Sequence, residues 1–458
     1  MKNLWILTEE RPKKNVIQEI TKKFAFDYSF EIKVTKIKIT PIIENKKFLF
    51  TYLVAGIEIN NVQNIFIKTV SGHSSFVDFL IFYQEKIPAQ SDIPIYAIEE
   101  TKTDDAESRN TGVYQRCSKF VFIDYFYPSV KKIMLYNLQI EQKESPTSTN
   151  FFGTKMLRTI GVEIIGKKLS PEILEPYGSL QELIDLKNSM RRPPAGNVPI
   201  IINKQSDKIE VSGRLYKSGG LAHDPNIGAL SIICKCLRIL GWNKDIIITS
   251  HGLSQNHING SNKFIKIANQ LNIKLDGLNL PNVSISNDYW KYETKTEKLG
   301  TIFIHLVIEA YTKGRAIFEN HAGSEKGYFI GPNWQHYALE KYANKEKYKA
   351  GDKTQIIYIP DLIIFDPERK EIINIEGKTY ENKEKGIAEL NNYGDIESMY
   401  IGRFYPESKI IRTVVLYGSN NKNISENQIG FLLTESGDMI LGPNAPDIIV
   451  EAIEKIKK

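Results

Sequence analysis

Apolar and polar residues alternate over much of the first hundred positions, and that period predicts strands at 31–40, 47–60, 65–70, 76–83 and 93–102. Helical spacing predicts a short helix at 13–25 and a longer one from about 107 to 125. Further on, a strand is expected near 208–216, a helix through 228–240 and a strand at 245–249. Leu299, Ile302, Phe303, Leu306 and Ala310 recur at helical spacing, so 299–311 should form an amphipathic helix. A hairpin at 355–376, a helix after Lys383, and strands near 410–417 and 430–434 complete the pattern. Helices and strands mix without strict βαβ alternation. The expected fold class is α/β of the mixed α+β kind, with sheets flanked by helices.

A chain of 458 residues is long for one domain. Segment 191–199, Arg-Arg-Pro-Pro-Ala-Gly-Asn-Val-Pro, combines proline pairs, glycine and arginine. It is the expected linker between domains at 1–190 and 200–458. No apolar run approaches the roughly 18 residues of a membrane helix. The first residues meet Glu9 and Glu10 too soon for a signal peptide. Three cysteines, Cys117, Cys234 and Cys236, exclude a disulfide framework and a four-thiolate zinc site. A cytoplasmic location is therefore expected. The net charge of +6 permits an anionic partner without demanding one.

The clearest chemistry lies between 355 and 378. Two apolar runs flank a polar turn at 366–370, with Asp361 in the first and Glu376 and Lys378 ending the second. Residues two apart share a strand face, so Glu376 and Lys378 project together. Folding back around residue 368 brings Asp361 beside them. Two converging carboxylates need counter-charge, and hard oxygen ligands suit Mg²⁺. Bound there, Mg²⁺ would polarise a phosphodiester oxygen and acidify a water. Lys378 would orient that water or steady the charge that develops on phosphorus.

Pro360-Asp361 with Glu376-Gly377-Lys378 resembles the signature of the PD-(D/E)xK nuclease superfamily. The resemblance implies a mixed sheet with flanking helices and Mg²⁺-dependent cleavage of DNA. It also implies an acid on the preceding helix in the metal shell. Glu309 is the expected residue, with Glu297 competing. The tripeptide Glu-x-Lys alone says little, because it also occurs at Glu31, Glu44, Glu141, Glu293 and Glu407. The Pro-Asp pair, the hairpin and the apolar approach to Glu376 carry the resemblance.

A second stretch resembles the same signature, as Asp78 with Glu100-Thr101-Lys102, although proline is missing before Asp78. The helix that follows carries Gln115, Arg116 and Lys119, expected to face DNA phosphate or the metal. The segment resembles that of a type II restriction endonuclease. Each site could cut one strand, one could be a degenerate copy that reads DNA, or one could be accidental.

Other groups are better read as structural. His251 and His257 lack a third ligand, and Cys234 and Cys236 face different ways on a helix. His305 shares a helix with Glu309 but has no further ligands, and Ser218-Gly219-Gly220 lacks the lysine of a phosphate-binding loop.

The expected function is an Mg²⁺-dependent, sequence-specific endonuclease of the type II restriction class. It would cut double-stranded DNA by metal-activated water and leave 5′-phosphate and 3′-hydroxyl ends. The alternatives are a structure-specific repair or recombination nuclease and a non-catalytic DNA-binding protein. A monomer or homodimer is expected, with a cognate DNA methyltransferase in the same cell.

Overall fold

The computed structural model describes residues 1–72, 76–101, 112–136, 148–166, 175–190, 200–215, 224–258, 263–283, 288–320 and 327–457. The elements that matter for function begin with β1 (Lys2–Thr8), α1 (Lys14–Asp27), β2 (Ile32–Glu44), β3 (Lys47–Ile59) and β4 (Val62–Gly72). They continue with β5 (Phe79–Gln84), β6 (Tyr96–Thr101), α2 (Gly112–Phe126), β7 (Lys131–Tyr136), β8 (Val162–Ile165) and α3 (Asp224–Ile239). The C-terminal part has α4 (Lys298–Tyr311), β9 (Arg315–Glu319), β10 (Leu362–Asp366), β11 (Glu371–Thr379) and α5 (Lys383–Glu389). Last come β12 (Lys409–Tyr417), β13 (Ile429–Leu433), β14 (Met439–Leu441) and α6 (Asp447–Lys457). The mixed α+β class expected from the sequence is what the chain adopts. Among the described residues, no helix is long and apolar enough to cross a membrane.

The division into domains differs from the expected one. Two compact units form, and neither follows a 1–190/200–458 split. The first comprises Met1–Leu4, Glu10–Thr69 and Tyr292–Lys458; the second comprises Trp5–Glu9 and Val70–Lys291. Helix packing explains the difference. Helix α2 packs on α3, so residues on both sides of the proposed linker share one core. Segment 191–199 itself lies outside the described residues.

In the first unit, β9, β10, β11, β12, β13 and β14 lie in that order in one sheet. Strands β9, β10 and β11 run antiparallel, while β12 and β13 continue parallel to β11. The run Ile372–Ile375 is fully buried, as a strand covered on both faces requires. Helix α4 is apolar around most of its circumference and is buried from Leu299 to Ile308 except at Thr301. It packs against β11 and β12. Gly377 allows this approach: a Cβ there would stand 2.7 Å from Thr301 Cγ2 and 3.2 Å from the Glu297 carbonyl oxygen.

The turn between β10 and β11 is set by Asp366. Its Oδ1 accepts from the Glu368 amide at 2.9 Å, and its Oδ2 accepts from Arg369 Nη1 at 2.8 Å. The antiparallel strands β2 and β3 belong to this unit as well. Phe48 of β3 lies 4.9 Å from Phe303 of α4, and Phe303 stacks on Phe431 of β13 at 5.6 Å. Gly437, at φ 83°, lets its carbonyl receive the Phe48 amide at 2.8 Å; a Cβ would lie 2.1 Å from the Phe48 oxygen.

In the second unit, β5, β6, β7 and β8 are neighbours in that order. Strand β5 is antiparallel to β6, and β7 and β8 continue parallel. A separate sheet is formed by Ile273–Leu275, Asp245–Thr249, Lys208–Ser212 and Ile202–Lys204. Cys117, Cys234 and Cys236 are buried free thiols, as expected for core residues.

Because Phe303 touches aromatic rings from the two long chain segments of the first unit, Phe303→Ala should lower stability by about 3–5 kcal/mol. Urea unfolding followed by tryptophan fluorescence would measure the loss. A change below about 1 kcal/mol would show that the segments do not share this core.

Candidate active site

The register of β10 and β11 places Leu362 opposite Ile375. Asp361, one residue before β10, thus stands opposite Glu376. Its amide donates to the Ile375 carbonyl at 3.1 Å, and its Oδ2 accepts from the Gly377 amide at 2.9 Å. Glu376 is fully buried and Lys378 is 5% exposed. Lys378 Nζ donates to Glu376 Oε1, and to the Gly377 carbonyl at 3.1 Å. The three residues expected from the hairpin are therefore brought together.

Four neighbours escaped the sequence reading. Lys345 reaches in from the short helix Lys345–Lys349, capped by Asn344 Oδ1 on the Lys347 amide at 2.9 Å. Its Nζ lies 3.1 Å from Asp361 Oδ1 and 2.6 Å from Glu376 Oε1. The Tyr393 hydroxyl donates to Glu376 Oε2. Glu389 Oε2 lies 3.0 Å from Lys378 Nζ, and Lys349 also pairs with Glu389. Burial, reinforced by Asp361, pushes the Glu376 carboxyl up to about 7. Burial opposes the charge of Lys378, but Glu376 and Asp361 outweigh it and hold that ammonium above its ordinary range. A cavity of about 380 Å³ opens here, with Glu297, His305, Lys345, Asp361, Lys378 and Glu389 among its walls.

Glu309 does not join this group. It pairs with His305 Nε2 at 3.2 Å and with Lys14 at 3.1 Å. The helix rise explains why: Glu309 is twelve residues, roughly 18 Å, along α4 from Glu297. Glu297, the competing choice, is the acid at the correct end of α4, 4.0 Å from Lys378 Nζ. His305 sits instead in a buried cluster, with Nδ1 3.4 Å from Glu319, which Arg11 binds through Nε at 2.7 Å and Nη2 at 2.6 Å.

In the second unit, Phe79 is opposite Ile98, so Asp78 stands opposite Glu99 rather than Glu100. Asp78 and Glu99 are linked through backbone and side chain: the Asp78 amide donates to Glu99 Oε1 at 2.9 Å, and the Glu100 amide donates to Asp78 Oδ2 at 2.8 Å. Lys119 Nζ lies 2.6 Å from Glu99 Oε1 and 3.5 Å from Asp78 Oδ1. Arg116 Nε donates to the Glu100 carbonyl at 2.8 Å. Glu99 is fully buried, and burial with Asp78 beside it pushes its carboxyl up to about 7. Arg116 and Lys119 thus pair with the acids and backbone of this cluster. The Glu100 side chain belongs to the opposite strand face, because neighbours alternate. Lys102 and the Gln115 side chain lie outside the described residues.

Among the described residues no group of three or more His, Cys, Asp or Glu forms a metal cage. Mg²⁺ does not require one, since it is commonly held by one or two carboxylates together with waters and substrate phosphate. Asp361 and Glu376 fit that role, because one ammonium, Lys345 Nζ, already stands between their oxygens as a cation would. No protein-family model, curated protein or solved structure matches the chain.

The His305 cluster carries its own pH dependence. Burial and Arg11 oppose protonation of His305, yet Glu319 and Glu309 outweigh them and raise its pKa above 6.5. The stabilisation this gives is complete below pH 6.5 and is lost as pH rises through the raised value. His305→Gln should therefore destabilise the protein more at pH 6 than at pH 9, as read by urea midpoints. An equal loss at both would mean that His305 does not change charge between these pH values.

Proposed function

We propose that the chain is an Mg²⁺-dependent endonuclease that cuts double-stranded DNA at specific sequences, in the manner of a type II restriction enzyme. The observation that carries the reading is the pairing of Asp361 and Glu376 across a hairpin around one shared ammonium, with Lys378 two residues further along the same strand. It supports the resemblance to the PD-(D/E)xK nucleases borne by Pro360-Asp361 and Glu376-Gly377-Lys378.

When bound, Mg²⁺ would supply Lewis-acid polarisation of the phosphodiester and a more acidic water. Asp361 and Glu376 would hold it once the Lys345 ammonium moves aside. Tyr393 fixes the orientation of Glu376 by donating to its outer oxygen. Lys378, held by Glu376 and the Gly377 carbonyl, would orient water and offset the negative charge that develops on phosphorus. Attack by water in line with the leaving 3′-oxygen breaks the P–O3′ bond. One water proton ends on that oxygen, leaving 5′-phosphate and 3′-hydroxyl ends. Lysines elsewhere on the chain would bind phosphates, and base edges would be read in the grooves.

The test is digestion of plasmid and phage DNA with Mg²⁺. Discrete, mappable fragments are expected. Asp361→Asn or Glu376→Gln should reduce double-strand cleavage by about 10³-fold or more, the equivalent of several kcal/mol, with duplex binding retained in gel shifts. Wild-type cutting by either variant would remove this site from catalysis. Cleavage restricted to branched DNA would move the reading to a structure-specific nuclease.

A further inference from the structure

We propose that the second unit carries a second divalent-cation site for a phosphodiester, built on Asp78 and Glu99 with Arg116 and Lys119. The inference rests on the nuclease reading of the first unit and assigns its own residues to a second cut.

The two clusters correspond in strand register, in one backbone contact and in a bridging lysine. In each, an aspartate one residue before a strand faces a fully buried glutamate on the antiparallel neighbour, Asp361 with Glu376 and Asp78 with Glu99. In each, Oδ2 of the aspartate accepts the amide of the residue after the glutamate, at 2.9 Å from Gly377 and 2.8 Å from Glu100. In each, one lysine ammonium bridges Oδ1 and Oε1. Lys345 does so at 3.1 and 2.6 Å, and Lys119 at 3.5 and 2.6 Å. The strand after the glutamate is parallel in both, reached through a helical crossover.

The second cation also has a counterpart. Lys378 donates to the Gly377 carbonyl at 3.1 Å, and Arg116 donates to the Glu100 carbonyl at 2.8 Å. Arg116 Nε stands 3.8 Å from Glu99 Oε2. Thr101 occupies the register position of Lys378, so the positive charges come from α2, where residues three apart share a face. Among the described residues, Glu99 Oε2 is buried and accepts no hydrogen bond. Such an oxygen costs free energy unless something coordinates it, and a divalent cation between Asp78 and Glu99 would do so. An ordinary buried ion pair would not explain the repeated register, the repeated backbone contact and the open oxygen together. The chemistry is the same hydrolysis: water adds to phosphorus, the P–O3′ bond breaks, and the 3′-oxygen takes a water proton. Arg116 can only steady the developing phosphate charge.

The experiment counts Mn²⁺ bound to the full chain by electron paramagnetic resonance and follows relaxation of supercoiled plasmid. Glu99→Gln and Asp361→Asn are each expected to remove about half of the bound Mn²⁺ and to leave nicked circles as the main product. The double variant should cut neither strand. Full Mn²⁺ binding and normal linear product in Glu99→Gln would overturn the inference. Loss of half the ions in Glu100→Gln but not in Glu99→Gln would do the same. In either event, failure of Asp361→Asn to cut would leave the first site standing, while normal cutting by Asp361→Asn would overturn that site instead. If Glu99→Gln does not fold, as judged by circular dichroism, Asp78→Asn makes the same test from a side chain that is 22% exposed.

Discussion

A carboxylate with no exposed surface is the constraint around which the first unit is arranged. Glu376 sits in the middle of a sheet, where an isolated negative charge would be very costly. Its neighbours answer that cost from three directions. Lys378 comes from the same strand, Lys345 from a short helix and Tyr393 from beyond α5, while Asp361 adds a second negative charge that Lys345 also serves across the hairpin. With Glu389 and Lys349 included, three carboxylates meet three ammoniums. Such a balanced cluster is self-sufficient without a metal. A dication can enter only by displacing positive charge, and Lys345, 22% exposed and mounted on a five-residue helix, is the ammonium best placed to leave.

Much of this was legible in the sequence. The hairpin announced itself through two apolar runs about a polar turn, and nearly equal distances from residue 368 put Asp361 beside Glu376. Strand parity gave Lys378. The strands and helices near the sites fell close to their expected places, because local period decides them. Glu309 was misjudged because a helical wheel shows which face a residue occupies but not how far along the axis the site lies. Lys345, Glu389 and Tyr393 reach Glu376 through tertiary packing that leaves no local trace.

The second cluster shows a different limit. Glu99 and Glu100 are adjacent, and Glu-x-Lys spacing favours Glu100. Only the pairing of Phe79 with Ile98 shows which of them faces Asp78. The connection from β5 to β6 runs over residues 85–95, too long for turn chemistry to fix the register. The domain boundary failed for a related reason. Proline-rich composition marks where regular structure stops, whereas a compact unit is defined by which distant segments share a core.

The split composition of the first unit has a consequence for biosynthesis. Residues 10–69 emerge from the ribosome long before 292–458. At ~5–20 residues per second, the intervening stretch takes roughly 10–45 s to make. Through that interval Phe48 and the apolar side chains around it have no α4 to cover them, and the nascent strands are exposed to wrong pairing. A holdase that shields them, or a slow step that delays their collapse, would be as much a part of producing this protein as its sequence.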